Sequence, residues 1–338
     1  MEVMPLSRLI PISSKDSSQT GNARRQALSL AAEMEFDELR QGQLGIIVTE
    51  AARNIAAHAG DGDIILSPWT YNELAGIDVL SLDKGQGIES VSAALEDGYS
   101  TAGTPGNGLG AISRMAGRFQ IYSSAGNGTA LFARVLRTAE QAESESRSYA
   151  MSSIRSPIAG EWVCGDAWSA VFSEERSVYV MADGLGHGPI AAEAADEAVR
   201  VFQRIAEQPP ERILTDIHLA LGKTRGAAVS VAEILHAKQV VNYAGAGNIV
   251  AAICSKGKTR TMVSMNGTVG HTVGKIQQFS YPWEADSALI MHSDGLGTRW
   301  NVEQYPGLTS RHPALLAGVL FRDFCRRRDD ATILVSRI

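Results

Sequence analysis

The stretch Val178–Gly188, VYVMADGLGHG, carries an apolar run into Asp183 and then leaves it through alternating glycines. A short apolar run closed by glycine reads as a buried strand ending in a tight turn. The tetrapeptide DGLG recurs in LIMHSDGLGTRW, after a second apolar run, with its carboxylate at Asp294. Asp-Gly is also an ordinary turn dipeptide, so either copy alone reads equally as a turn.

Further carboxylates sit in the same kind of place. Asp166 lies in WVCGDAW, and Asp329 and Asp330 lie in RRRDDATILV, each at the edge of a strand-like segment. Carboxylates from separate strand ends can gather at one end of a sandwich, where they repel unless cations lie between them. An oxygen-rich set without cysteine suits Mg2+ or Mn2+ rather than zinc. The glycine after Asp183 permits close backbone approach, and Gly184 can lend its carbonyl as a further ligand. His187 reads as a loop histidine on the rim of that centre or as a proton donor to a leaving oxygen, and His292 as a packed strand residue. Helical spacing predicts flanking helices over Gly188–Gln208, Glu211–Leu221 and His312–Arg326. The expected architecture is two stacked sheets flanked by helices.

The joint order is GD, a strand, DGxGxG, a helix, then SDG far downstream and DDAT before a last strand. With RGAAVSVAEI and VVNYAGAGNIVAAI, it resembles the PPM-type metal-dependent phosphatases, in their sporulation stage II E branch, over about residues 150–338. The resemblance implies an α-β-β-α sandwich and two Mg2+ or Mn2+ ions. It implies that Asp183 bridges both, that Asp166 and the Gly184 carbonyl complete one site, and that Asp294 and Asp329 complete the other. Asp183 is thereby the centre of the catalysis, and Asp330 is not expected to be a ligand. Cys164 stands where that family often has glycine.

The first half carries a different pattern. Two helices are expected to come first, the second over Glu38–Ala59, with Leu44, Ile47, Val48, Ala51, Ala52, Ile55 and Ala56 on one stripe. Glu50 and Asn54 project together from its flank. Two strand-like runs follow, the second ending at Asp83 in front of Gly85 and Gly87. Then STAGTPGNGLGAISRM places Gly106, Gly108 and Gly110 before a helix. A glycine-rich loop leading into a helix N-terminus can hold phosphates. It can equally be a plain turn, and a Glu–Asn pair on a helix can be a solvated face. In the pocket reading Asp83 accepts from an adenine amino group, Asn54 offers oxygen to Mg2+, and Glu50 is a base. Leu109 is counted with the same site.

The order ExxxN, DxGxGI, GxGxG and a strand-opening GT resembles the GHKL ATPase superfamily over about residues 20–137. ALEDGYSTAGTPGNGLGAISRM narrows this to the small serine kinases that phosphorylate anti-sigma-factor antagonists in bacterial partner switching. That resemblance implies an α/β sandwich with a mixed, mostly antiparallel sheet, ATP with Mg2+ as cofactor, Glu50 as the catalytic glutamate and Thr129 as the last nucleotide-binding position. It also brings Arg24 and Arg25 of the first helix to a partner. Both halves imply one kind of protein substrate, a STAS-type antagonist domain carrying a regulatory serine, and a stress-signalling role. The kinase resemblance also implies a homodimer.

The bulk numbers agree with this division. The chain has 338 residues, 44% of them hydrophobic, and a formal net charge of -6. No basic stripe points to nucleic acid, and no run reaches the length of a membrane span. Cys164, Cys254 and Cys325 form no paired motif, which fits a reducing compartment and a cytoplasmic protein. The polar stretch from Thr138 to Ser153 reads as a linker, so the expected division is 1–137, a linker at 138–149, and 150–338.

Overall fold

The computed structural model describes residues 6–71, 74–95, 108–138 and 150–338. The chain packs as two units. One combines Ser7–Tyr149 with Ala314–Arg322, and the other is built mainly from Ala150–Pro313 and Asp323–Ile338.

The first unit opens with a strand, β1 (Arg8–Ser13), where helices had been expected. The sequence RLIPIS is short and contains proline, which hides its strand character. Pro11 is tolerated because β1 lies at the edge of its sheet. Helices α1 (Ser18–Glu33) and α2 (Glu38–Asn54) follow, and the helical path continues through one π-type turn at Ile55–Ala59. Asp37 starts α2 by accepting from the Arg40 amide at 2.7 Å. Then come β2 (Asp61–Tyr71), β3 (Leu74–Asp83), a short α3 (Val91–Ala94), α4 (Gly108–Met115), β4 (Arg118–Ser123) and β5 (Thr129–Leu136).

These strands form one sheet in the order β1-β2-β3-β5-β4, and every pairing is antiparallel, not mixed. The apolar stripe of α2 (Leu44, Ile47, Val48, Ala51, Ala52) packs with Ala23 and Ala27 of α1 onto Ile64, Ile77, Val79 and Ala133. Strand period sends alternate side chains of β3 to the opposite face. There Leu82 and Leu80 approach Gly318, where an added Cβ would sit 3.0 Å from Leu82. Gly318 belongs to α7 (Pro313–Phe324), the helix expected to flank the second half. Its residues 314–322 pack instead within this first unit.

The second unit holds two five-stranded sheets. One runs β13-β10-β9-β8-β7, from Phe279–Pro282, Val240–Ala246, Ala227–Leu235, Arg176–Gly184 and Asp166–Phe172. The other runs β12-β11-β14-β15-β6, from Lys258–Thr261, Val250–Ser255, Ala288–His292, Ala331–Arg337 and Ala150–Ser156. The polar stretch read as linker therefore ends earlier than Ser153. Ala150 already pairs with Arg337, because the partner strand supplies the apolar surface and hydrogen bonds that the segment lacks alone.

Helices α5 (Pro189–Ile205) and α6 (Pro210–Ala220) cover the outer face of the first sheet. Ala194, Ala198 and Phe202 meet Val178, Val180 and Val229 there. The inner faces meet through Trp168, Tyr179, Met181 and Tyr243 on one side and Ala251, Leu289, Met291 and Leu334 on the other. Stacked sheets of this kind place all their strand ends at two rims.

Candidate active sites

The carboxylate cluster is set by strand register. Asp166 opens β7 and Asp183 lies near the end of β8, and the two are directly paired across the ladder. Direct partners point to the same face. From the facing sheet, Ser293 donates its Oγ–H to Asp166 Oδ2 at 2.6 Å, which brings the adjacent Asp294 to the same rim. Asp329 and Asp330 arrive just before β15.

Electrostatics marks the convergence. Burial, followed by the charges of Asp166, Asp294, Asp329 and Asp330, holds the Asp183 carboxyl far above the usual carboxylate range. Burial does the same to Asp166 against the opposing pull of its hydrogen bond from Ser293. Burial also raises Asp294, with Asp329 adding to the effect. Asp166 Oδ1 is buried and has no hydrogen-bond partner. Such an arrangement calls for positive charge. Among the described residues, no three ligating side chains close into a ready-made cage. The donor set, all oxygen with an orphaned buried carboxylate atom, still fits hard divalent cations.

Asp330 has a different task from its neighbour. Its Oδ1 accepts from the Ile158 amide at 2.8 Å and its Oδ2 from the Gly165 amide at 2.7 Å. It clamps the backbone that presents Asp166, while Asp329 is exposed. Gly184 approaches α5 so closely that any Cβ would overlap the Ala191 carbonyl oxygen. His292 is fully buried, with Nδ1–H donating to the Ser293 carbonyl and Nε2 accepting from Trp300. Burial lowers it to about 4, so it stays neutral. His187 is exposed and held by Glu161 at 3.0 Å.

Sequence reading missed the supports of this centre. Asn248 donates to Asp294 Oδ2 at 2.7 Å, from the glycine-rich turn AGAGN between β10 and β11. Arg155 is buried and donates from Nε to the Asp166 carbonyl at 2.6 Å. The AGAGN turn was a visible signal and Ser293 lay inside the SDG motif, but Arg155 had none, since its role depends on cross-strand neighbours.

In the first unit, Glu50 and Asn54 stand on the last turn of α2, facing the start of α4. An added Cβ on Gly108 would lie 3.2 Å from Glu50 Oε2 and 3.6 Å from Asn54 Oδ1. Asn54 Nδ2 is buried without a partner. Arg53 donates to Glu50 Oε1 at 2.8 Å. Asp83 Oδ1 accepts from the Gly85 amide at 2.9 Å and the Thr129 amide at 3.1 Å. Burial raises the Asp83 carboxyl despite those two bonds. Arg322 donates to the Asp83 carbonyl at 2.9 Å. Gly87 has φ +74°, and a side chain there would strike the Ser124 carbonyl oxygen. Gly110 is buried in α4, and the partly buried Leu109 packs against the core of this unit. Gly106 lies outside the described residues. Arg24 and Arg25 are exposed on α1.

Comparison with known proteins matches both halves. Residues 13–135 fit the histidine kinase-like ATPase domain, and residues 173–338 fit stage II sporulation protein E. The chain is 34% identical over 107 residues to the serine/threonine-protein kinase RsbT of Bacillus subtilis (strain 168), spanning 32% of this chain and 80% of that one. It is 25% identical over 138 residues to the phosphoserine phosphatase RsbX of the same organism, spanning 40% of this chain and 69% of that one. A solved structure of RsbX in complex with magnesium shares the fold at a TM-score of 0.50 and 21% identity, covering 55% of this chain and 93% of that one. Among the described residues, no helix is long and apolar enough to cross a membrane. The chain belongs to the family of the serine/threonine-protein kinase RsbT, and it joins a histidine kinase-like ATPase domain to a stage II sporulation protein E domain in one polypeptide.

Proposed function

We propose that this chain sets the phosphorylation state of a regulatory serine on a STAS-type anti-sigma-factor antagonist in the cytoplasm. The module in residues 1–137 adds the phosphate from ATP, and the module in residues 150–338 removes it. The observation that carries the reading is the cross-strand pairing of Asp166 with Asp183, together with the Ser293–Asp166 hydrogen bond that brings Asp294 to the same rim.

In the phosphatase module, Asp183 would contribute to holding both of two divalent cations. Asp166 and the Gly184 carbonyl would help hold one, and Asp294 and Asp329 the other. When bound, two Mg2+ or Mn2+ ions would supply neutralisation of phosphate charge and a more acidic water. The water oxygen bonds to phosphorus as the phosphorus–serine oxygen bond breaks, and the serine oxygen takes up a proton. Asp330 and Arg155 fix the strand end that presents Asp166. Asn248 orients Asp294.

In the kinase module, Asp83 accepts from the adenine amino group. Gly85, Gly87, Gly106, Gly108 and Gly110 let backbone approach the nucleotide, with Leu109 and Thr129 beside them. Asn54 would hold Mg2+, and Glu50 is the base for the substrate hydroxyl. A second reading has one specific support: Arg53 already engages Glu50. In that reading the first module senses nucleotide and gates the phosphatase without transferring phosphate.

Radiolabelled ATP separates the two. Label reaching serine on an antagonist domain, and lost in Glu50→Gln, is the expected result. Labelling absent from all antagonist domains, with ATP-dependent phosphatase rates, favours the sensor. Hydrolysis of p-nitrophenyl phosphate with Mn2+ is expected from the wild type and lost in Asp183→Asn. A wild type inert with every divalent metal overturns the phosphatase assignment.

A further inference from the structure

The described residues include eight large hydrophobic side chains that are exposed. Three of them border the loop that follows Asp183. Leu185 (46% exposed) lies in the loop itself, Ile190 (51%) opens α5, and Trp162 (90%) follows Glu161. Glu161 ties Trp162 to the loop, because its carboxylate meets His187 at 3.0 Å and approaches Gly188. The other five are Leu39, Ile46, Leu219, Val263 and Ile338, which come from unrelated parts of the chain.

A cation completes the rim. Arg225 is exposed, and its Nη1 lies 3.2 Å from where a Cβ on Gly186 would stand. Its turn is pinned to the loop after Asp183, since the Leu185 amide donates to the Gly226 carbonyl at 3.0 Å. No carboxylate among the described residues pairs with it. Arginine matches phosphate by a planar fork of donors.

Isolated exposed apolar residues need no explanation, but a group beside a reaction centre does. Hydrolysing a small phosphate ester requires the acidic centre and a cation, not an exposed tryptophan. Tryptophan and arginine are the residue types that dominate binding energy at protein interfaces. An anionic lipid surface is disfavoured by the carboxylates that crowd the same rim.

We propose that Trp162, Leu185, Ile190 and Arg225 form the docking surface for the phosphoserine-bearing segment of a folded protein substrate, one with an apolar side chain next to the phosphoserine. Arg225 takes the phosphate oxygens as the segment enters, and the three apolar side chains cover its neighbour. The proposal rests on the phosphatase reading above.

The test uses the full chain with Mn2+ and three substrates: p-nitrophenyl phosphate, a phosphoserine peptide flanked by leucine, and the same peptide flanked by glycine. The wild type should prefer the leucine peptide. Trp162→Ser and Ile190→Ser should each lower that preference by about tenfold, a typical anchor effect, and Trp162→Phe should retain most of it. Arg225→Ala should raise KM more than it lowers kcat. Unchanged leucine-over-glycine selectivity in both serine variants overturns the docking surface and leaves the phosphatase intact. So does a Trp162→Ser variant whose only change is dissociation of a dimer by light scattering. A wild type that hydrolyses none of the three sinks the phosphatase reading itself, and this proposal with it.

Discussion

Asp329 and Asp330 are adjacent and carry the same charge, yet the structure separates their work. Both Asp330 oxygens are filled by backbone amides, and Asp329 is exposed beside the cluster. Asp330→Ala leaves two amides without an acceptor, which costs about 1–3 kcal/mol for each that stays buried. Its melting temperature should fall in the absence of metal. Asp329→Asn should keep its metal-free melting temperature while Mn2+ affinity, measured by calorimetry, drops at least tenfold. Equal thermal losses in the two variants would contradict this division of roles. Resemblance to the phosphatases implied the first aspartate of the pair as the ligand. It had no access to the amides of Ile158 and Gly165, which lie over a hundred positions away in the chain.

At the scale of elements, the β3–β5 ladder carries a buried ion pair. Arg134 donates from Nε and Nη2 to the two Asp78 oxygens at 2.7 and 2.8 Å, under the Trp69 ring. Trp69 also donates to Asp78 at 3.0 Å. Removing one partner strands a buried charge, so Arg134→Ala should destabilise the first unit by about 3–5 kcal/mol. Urea unfolding followed by tryptophan fluorescence measures this, and a change below 1 kcal/mol would be incompatible with the buried pair. Helix α7 makes a second prediction. Arg322 holds the Asp83 carbonyl, so Arg322→Ala should weaken ADP–Mg2+ binding severalfold by calorimetry, and Asp83→Ala more. Affinity unaffected by Arg322→Ala would remove this helix from the nucleotide site. The periodicity of α7 was legible, as was that of α2, α5 and α6. Its partner was not, because an apolar stripe states only that a face is buried, not against which surface.

For the whole molecule, the acidic cluster links metal, pH and stability. Asp166 and Asp183 are raised in the metal-free fold, so that fold binds more protons than the unfolded chain. Stability therefore falls as pH rises from the ordinary carboxylate range towards their raised values. Divalent cations replace those protons, so the sign reverses for the cation's contribution, which grows with pH. In thermal scans between pH 5 and 8, the EDTA-treated protein should melt progressively lower, and Mn2+ should raise the melting temperature most at pH 8. A Mn2+ effect that is flat or shrinks with pH would mean that these carboxylates do not hold the metal.

The sequence by itself determined the fold class and the two-module organisation. It also showed which aspartates stand at strand ends, because period, glycine placement and motif order are local properties written along the chain. Strand β1 escaped it, since a six-residue edge strand with a proline has little local signal. Only the tertiary structure decided that all pairings in the first sheet are antiparallel and that residues 314–322 pack in the first unit. It alone gave Asp330, Arg155, Ser293 and Asn248 their places behind the carboxylates. Those assignments rest on hydrogen bonds and buried surface between residues far apart in the chain, and such partners exist only once folding has brought them together.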